Sequence, residues 1–176
     1  RDPEMSRGLG DVYKRQGIDK AVMVFKEIHE RHPQARFVLA GSPGEGSRYI
    51  LEQIKRLGLD DGSVTYLGAI SEELKIRLMM ESKFYFMLST YEGFGIAAIE
   101  ALTAGCCLIH SGRGGLKDAA GEMGVQVDIE DMESVTQTCL KLYECPVDQG
   151  EIEEGIRFVK ERFCYKTRLD TIKCYL

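Results

Sequence analysis

The feature that most constrains the fold is a regular alternation of short apolar runs with longer amphipathic segments from Gly17 onward. The apolar runs predict buried strands, at 36–40, 64–67, 84–88, 106–110 and 125–127. The segments around them carry apolar residues at helical spacing and predict helices, at 18–31, 47–57, 71–80, 94–104, 114–120, 132–143 and from Ile152 to the C-terminus. Strands joined through helices imply right-handed β-α-β crossovers. The chain is therefore predicted to be an α/β protein, a single parallel sheet with helices on both faces.

Ligands of such sheets bind at the carboxyl ends of the strands, so four loops are candidate sites. They are 41–46, 68–70, 89–95 and 111–115. The first contains Gly41, Gly44 and Gly46, but it has neither G-x-G-x-x-G spacing nor the Lys-Ser/Thr step of a P-loop. For this loop an ordinary strand-to-helix turn and a ligand contact both stay open.

The segment 89–105 is more informative. A strand ends at Leu88, a glycine-rich turn follows, and a helix is predicted from Phe94. Free amides at a helix start form an anion site, which the helix dipole reinforces, and Gly93 and Gly95 let the backbone come close to a ligand. Glu92 lies in the mouth of this loop. Glu100 follows eight positions later, where an ionised carboxylate suits the recognition of hydroxyl groups.

Glu92 and Glu100 match the E-x7-E motif of retaining glycosyltransferases with the GT-B fold, and the surrounding sequence resembles the family 4 form of that motif. The resemblance continues elsewhere along the chain, at 17–19, 37–41, 64–68, 114–118 and 163–169. It implies the C-terminal, Rossmann-like half of a GT-B enzyme. The sequence departs from the family at Thr90, where the family usually has proline, and at 106–108, where it often has Pro-Val. The turn at 114–118 also resembles starch and glycogen synthases, so that relationship stays open.

The resemblance implies roles for individual residues. Glu92 is expected to face the donor sugar as the catalytic carboxylate, and Glu100 to bind the ribose hydroxyls of a nucleoside-diphosphate sugar. The remaining expected donor contacts are the amides of Gly93, Phe94, Gly95 and Ile96, the phosphate-lining Gly41, and the base-flanking Tyr66 and Leu67. Neither a cofactor nor a metal is expected. The alternatives are that Glu92 and Glu100 are solvated surface carboxylates, that the enzyme is a nucleotide-sugar epimerase of the same fold, or that the chain is a non-catalytic nucleotide-binding module.

The first sixteen residues are interpreted separately from the rest. Residues 6–16 resemble, codon for codon, the translation of a transposon-type sequencing-library adapter, and Arg1-Asp2 fits the end of the matching primer. We therefore expect residues 1–16 to be a non-native tail that does not pack on the fold, and residues 17–176 to be the sugar-nucleotide-binding domain. The family's acceptor-binding N-terminal domain, and its diphosphate-binding Arg and Lys, would then lie upstream of Gly17. The chain by itself is expected to be inactive.

Composition excludes several other classes of protein. A net charge of −5 argues against a nucleic-acid partner. No apolar run approaches the ~18 residues of a membrane span. The six cysteines form no C-x-x-C pair, and they predict buried, reduced thiols in a cytoplasmic protein. Peripheral membrane association of the parent enzyme is left open.

Overall fold

The computed structural model describes residues 16–145 and 148–164. Its strands are β1 (Phe37–Leu39), β2 (Val64–Tyr66), β3 (Phe84–Met87), β4 (Cys107–His110) and β5 (Val125–Gln126). Its helices are α1 (Ile18–Arg31), α2 (Glu45–Arg56), α3 (Glu72–Glu81), α4 (Ile96–Ala104), α5 (Leu116–Ala120), α6 (Met132–Glu144) and α7 (Gln149–Phe163). The predicted order of elements and the α/β class are confirmed. The prediction for residues 1–15, and the part of the family resemblance after Cys164, lie outside the described residues.

Element boundaries differ from the prediction where a cap decides them. Helix α4 begins at Ile96 rather than Phe94, because Gly95 before it has φ of 87° and cannot belong to a right-handed helix. Helix α2 begins at Glu45 rather than Ser47, because the Ser47 hydroxyl accepts the Gly44 amide at 2.9 Å and closes the first turn. Helix α7 begins at Gln149, three residues before the predicted start, because Asp148 caps it through the Gly150 amide at 2.8 Å.

Within residues 16–145 and 148–164 all the strands pair in parallel, and they form two ladders where a single sheet was expected. One ladder joins β1 to β2, with Phe37 opposite Val64. The other joins β3, β4 and β5 in that order, with Phe84 opposite Cys107. No ladder hydrogen bonds connect β1 to β3. The sequence pattern predicted each strand correctly but could not show that these two would stay unpaired.

The core has one layer on each side of the strands, as the two-faced prediction requires. On β4, Leu108 packs with α4, α5 and α7, whereas Ile109 packs with α1 and α6 on the opposite face. Both side chains are fully buried. Successive side chains of a strand point to opposite faces, so one short strand contributes to both layers. Burial of each such side chain stabilises the fold by about 1.5–3 kcal/mol.

The cysteine prediction is only partly right. Cys106 and Cys139 are buried, and burial raises the pKa of their thiols to about 11 and about 12. Cys145 and Cys164 are exposed, contrary to the prediction, because each lies at the end of a helix rather than on a packed face. The five cysteines within 16–145 and 148–164 are all unpaired thiols.

None of the helices in the described ranges is long and apolar enough to cross a membrane.

Candidate functional site

The turn between β3 and α4 presents unpaired backbone amides at the carboxyl edge of the sheet. Gly95 adopts the left-handed conformation, and its carbonyl accepts the Ala98 amide at 2.9 Å, which starts the helix. Within the part of the chain that the structure describes, the amides of Ile96 and Ala97 have no protein acceptor. These donors, with the positive end of the helix dipole behind them, form a site suited to an anion.

A second glycine turn holds this loop in place. The Gly115 amide donates to the Glu92 carbonyl at 2.8 Å. A methyl group on Gly115 would lie 2.2 Å from the Gly93 carbonyl oxygen, and one on Gly114 would lie 2.4 Å from that of Glu92. Only glycine permits this approach of two backbones. The sequence analysis noted that the 114–118 turn resembles the family but assigned it no role. In the structure this turn supports the Glu92 loop.

The Glu92 carboxylate is half-buried beside the helix start. It accepts the Gly93 amide at 3.2 Å, so one of the amides predicted to bind the donor is occupied by the neighbouring side chain. A cavity of about 310 Å³ opens here. Its lining consists of Met87, Glu92, Phe94, Gly95, Ile96 and Ala97. The predicted catalytic carboxylate and four of the residues around the helix start therefore share one cavity.

Glu100 is held by a lysine that the sequence analysis did not identify. The Lys75 ammonium donates to Oε1 of Glu100 at 2.9 Å and also contacts Glu72 at 2.6 Å. The hydrogen bonds to Glu72 and then Glu100 raise the pKa of Lys75. Burial raises the pKa of nearby Tyr85, and the Glu100 charge adds to that shift. Lys75 belongs to a different helix from Glu100 and is 25 positions away, so no local sequence pattern could have indicated the contact.

The remaining predicted donor contacts lie at the carboxyl edge of β1 and β2. The Tyr66 hydroxyl donates to the Gly41 carbonyl at 2.7 Å, and the Gly41 amide donates to Gly68 at 2.9 Å. Leu67 is 40% exposed. These residues form a group of their own, and Gly41 shares with Lys75 the lining of a second, larger cavity between β1 and β3.

Exposed apolar side chains flank the helix start. Tyr91, Phe94 and Ile96 are 61%, 47% and 64% exposed. Large apolar groups at a concave polar site commonly contact a ligand or another domain. Phe94 also packs edge-on against Phe163 of α7 with ring centroids 6.0 Å apart.

The cationic groups of Lys75 and Arg113 are engaged with carboxylates. Arg113, in the turn after β4, contacts Glu130 at 2.9 Å and Asp128 at 3.8 Å. Within residues 16–145 and 148–164, no cluster of three His, Cys, Asp or Glu side chains is placed to hold a metal ion. That the reaction needs no metal stays a prediction.

The chain belongs to the glycosyltransferase family described as "Glycosyl transferases group 1", whose sequence profile matches residues 7–157. This membership does not favour the epimerase or the non-catalytic alternative. The matched range begins inside the segment assigned to the adapter, and that assignment stays a prediction.

Relatives and solved structures agree with the family. An uncharacterised glycosyltransferase of Methanocaldococcus jannaschii is 32% identical over 66% of this chain and 29% of its own length. GDP-mannose:cellobiosyl-diphosphopolyprenol alpha-mannosyltransferase of Xanthomonas oryzae is 33% identical over 54% of this chain and 25% of its own length. The structure of sucrose-phosphate synthase from Thermosynechococcus elongatus matches with a TM-score of 0.78 and 26% identity, over 92% of this chain and 42% of that one. The chain thus spans less than half the length of each of these proteins.

Proposed function

We propose that residues 17–176 form the donor-binding domain of a retaining, family 4-type glycosyltransferase. The parent enzyme transfers a hexosyl unit from a nucleoside-diphosphate sugar to an acceptor held by a second domain. The proposal rests on the arrangement at the start of α4, where the unpaired amides of Ile96 and Ala97 follow the Glu92 loop and precede Glu100 by one helical turn.

The helix start fits the diphosphate of the donor. The amides of Ile96 and Ala97 are free to donate to phosphate oxygens, and the dipole of α4 favours negative charge at the same place. Negative charge grows on the diphosphate as the bond to the sugar breaks, so donors already in position stabilise the transition state more than the bound substrate. No metal ion is required for this stabilisation.

The two carboxylates fit the two ends of the donor. Glu92 shares the cavity at the helix start and would face the sugar. Glu100 lies one turn further along α4, where Lys75 holds Oε1 and leaves the other oxygen to accept a ribose hydroxyl. Gly41, Tyr66 and Leu67 at the adjacent strand ends would line the phosphate and base positions.

The identity of the donor follows from relatives only in outline. The Xanthomonas relative is named as an alpha-mannosyltransferase that uses GDP-mannose. This supports a nucleoside-diphosphate hexose as the substrate class of the parent enzyme. The acceptor domain and a cytoplasmic location belong to the same proposal.

Calorimetry on the complete parent enzyme tests the nucleotide site. Replacing Glu100 with alanine should weaken the binding of the cognate nucleoside diphosphate by about 1.5–3 kcal/mol, because a charge-assisted ribose contact is lost. Glu52→Ala, which removes an exposed carboxylate from α2, is the matched control and should leave the dissociation constant unchanged. Equal affinities for the Glu100→Ala variant and the parent enzyme would show that Glu100 is only structural.

The stereochemical part of the proposal needs its own measurement. Proton NMR of the product, recorded before the anomers equilibrate, should show the same anomeric configuration as the donor. An inverted product would remove the retaining assignment while leaving the nucleotide site intact.

A further inference from the structure

Arg113 carries the only long side chain of the glycine turn that follows β4. The backbone of this turn is fixed at both ends. The Ser111 hydroxyl donates to the Ser89 carbonyl at 2.6 Å, and the Gly115 amide donates to the Glu92 carbonyl at 2.8 Å. Because side chains change position by rotation between staggered rotamers, the Arg113 guanidinium can move while the turn beneath it stays in place.

The turn that carries Arg113 lies directly against the loop of the proposed donor site. A methyl group on Gly114 would lie 2.4 Å from the Glu92 carbonyl oxygen and 3.2 Å from the Glu92 amide nitrogen. The Cα of Arg113 is only about 3.8 Å from that of Gly114. Glu92 also lines the cavity at the start of α4, where the amides of Ile96 and Ala97 have no acceptor among the described residues. Arg113 is therefore rooted at the edge of the anion site.

The Arg113 side chain points toward two acidic residues on the loop after β5. Its Nη2 lies 2.9 Å from the Glu130 carboxylate and 3.8 Å from the Asp128 carboxylate. The Arg113 side chain is 38% exposed, and those of Glu130 and Asp128 are 66% and 71% exposed. Within residues 16–145 and 148–164, none of its guanidinium N–H groups is aligned for a hydrogen bond to these carboxylates. Solvent-exposed ion pairs without good geometry are weak, so Arg113 is held only loosely.

We propose that Arg113 is a further ligand of the donor diphosphate, and that Glu130 and Asp128 hold its side chain aside until a donor binds. The proposal rests on the proposed donor site at the start of α4. A phosphate group accepts two parallel hydrogen bonds from the planar guanidinium, which neither carboxylate does in the structure. Negative charge on the diphosphate grows as the bond to the sugar breaks, so the contact with Arg113 strengthens toward the transition state.

This role predicts opposite effects for the two members of the ion pair. Removal of the Arg113 charge takes a ligand away from the diphosphate and weakens binding. Removal of the Glu130 charge takes away a competitor for Arg113, and also a negative charge near the anion site, and both changes strengthen binding. An ion pair that only holds the turn in shape would make the two substitutions act in the same direction.

Nitrogen-15 NMR titrations of the 176-residue chain and its variants with UDP and with GDP test the proposal. For the nucleotide that binds more tightly, Arg113→Met should raise the dissociation constant about tenfold, because a charge-assisted contact is lost. Glu130→Gln should lower it about twofold to fivefold, because a weak exposed pair no longer competes. The double variant should resemble Arg113→Met. Glu133→Gln removes the same charge from an exposed carboxylate of α6 and is the matched control, with less than about a twofold change.

Three results would overturn the proposal. Weaker binding in both the Arg113→Met and the Glu130→Gln variants, with the Gly115 amide resonance displaced in both, would show that the ion pair only holds the turn. An unchanged dissociation constant for Arg113→Met, with the amides of Ile96 and Ala97 still shifted by nucleotide, would remove Arg113 from the site and leave the donor site standing. No shift of those two amides in the unaltered chain would overturn the donor site itself, and the role of Arg113 with it.

Discussion

Replacing Gly115 with alanine tests whether the second glycine turn supports the donor loop. Gly115 has φ of −66°, which alanine adopts freely, so the change adds a methyl group without backbone strain. That methyl group would lie 2.2 Å from the Gly93 carbonyl oxygen and 2.8 Å from Cα of Phe94. Relief of the contact requires a backbone shift of about 1 Å, since non-bonded atoms pack at roughly 3.5–4.0 Å.

The expected cost follows from these distances. Overpacking of this kind costs about 1–3 kcal/mol. The shift also weakens the 2.8 Å bond from the Gly115 amide to Glu92, which is worth about 1 kcal/mol net. Alanine offsets about 0.4–1 kcal/mol by restricting the unfolded chain. We therefore expect the free energy of unfolding to fall by about 1–3 kcal/mol.

Urea denaturation followed by far-UV circular dichroism measures this change. Gly93→Ala is the matched control, because it lies on the other side of the same contact yet a methyl group there meets no atom within 4 Å. Its free energy of unfolding should stay within about 0.5 kcal/mol of the unaltered chain. Equal stability of the Gly115→Ala and Gly93→Ala variants would refute the packing of the two loops.

Three further predictions concern charge and activity. Lys75→Met should weaken binding of the nucleoside diphosphate up to about tenfold, because Glu100 loses the partner that orients it. The control is Arg77→Met, which breaks only an exposed pair with Glu73. Equal affinities of the two variants in calorimetry would contradict the orienting role of Lys75. Burial lowers the pKa of His110 below its ordinary 6.5, so the unfolded chain binds the proton first and the free energy of unfolding should fall as the pH drops through 6.5. The urea midpoints at pH 7.5 and 5.5 should therefore differ less for His110→Gln than for the unaltered chain. An equal difference for both proteins would contradict the role of His110. The 176-residue chain should show no glycosyl transfer in a donor-turnover assay. Positioning of both substrates lowers the barrier by roughly 7–11 kcal/mol, and the donor-binding domain alone positions only one of them. Turnover equal to that of an enzyme with the natural upstream sequence restored would contradict the domain assignment.

Individual helices and strands could be predicted from the sequence, because the residues that define each one lie within it or next to it along the chain. The Ser71 hydroxyl caps α3 by accepting the Leu74 amide at 3.2 Å, and the sequence predicted a helix over 71–80. The glycine turn after β3 and the spacing of Glu92 and Glu100 indicated the site. The start of α4 was misplaced by two residues, because only the backbone geometry of Gly95 decides it.

Contacts between distant segments could not be predicted. The ion pair of Lys75 with Glu100 depends on how α3 packs against α4. The support of Glu92 by Gly114 and Gly115 depends on two loops meeting at the edge of the sheet. The division of the described strands into two ladders depends on which strands become neighbours, and alternation along the sequence carries no information about strand order.

The most direct test of the donor site is a nitrogen-15 NMR titration of the chain with UDP and with GDP. The amides of Ile96 and Ala97 should show the largest shifts with at least one nucleotide, because they start α4 and have no acceptor among the described residues. The amides of Val24 and Val135, buried in the opposite core layer, should not move. The assignment of the donor site to the start of α4 would be contradicted if neither nucleotide shifted the Ile96 and Ala97 amides at millimolar concentration, or if the shifts clustered away from α4.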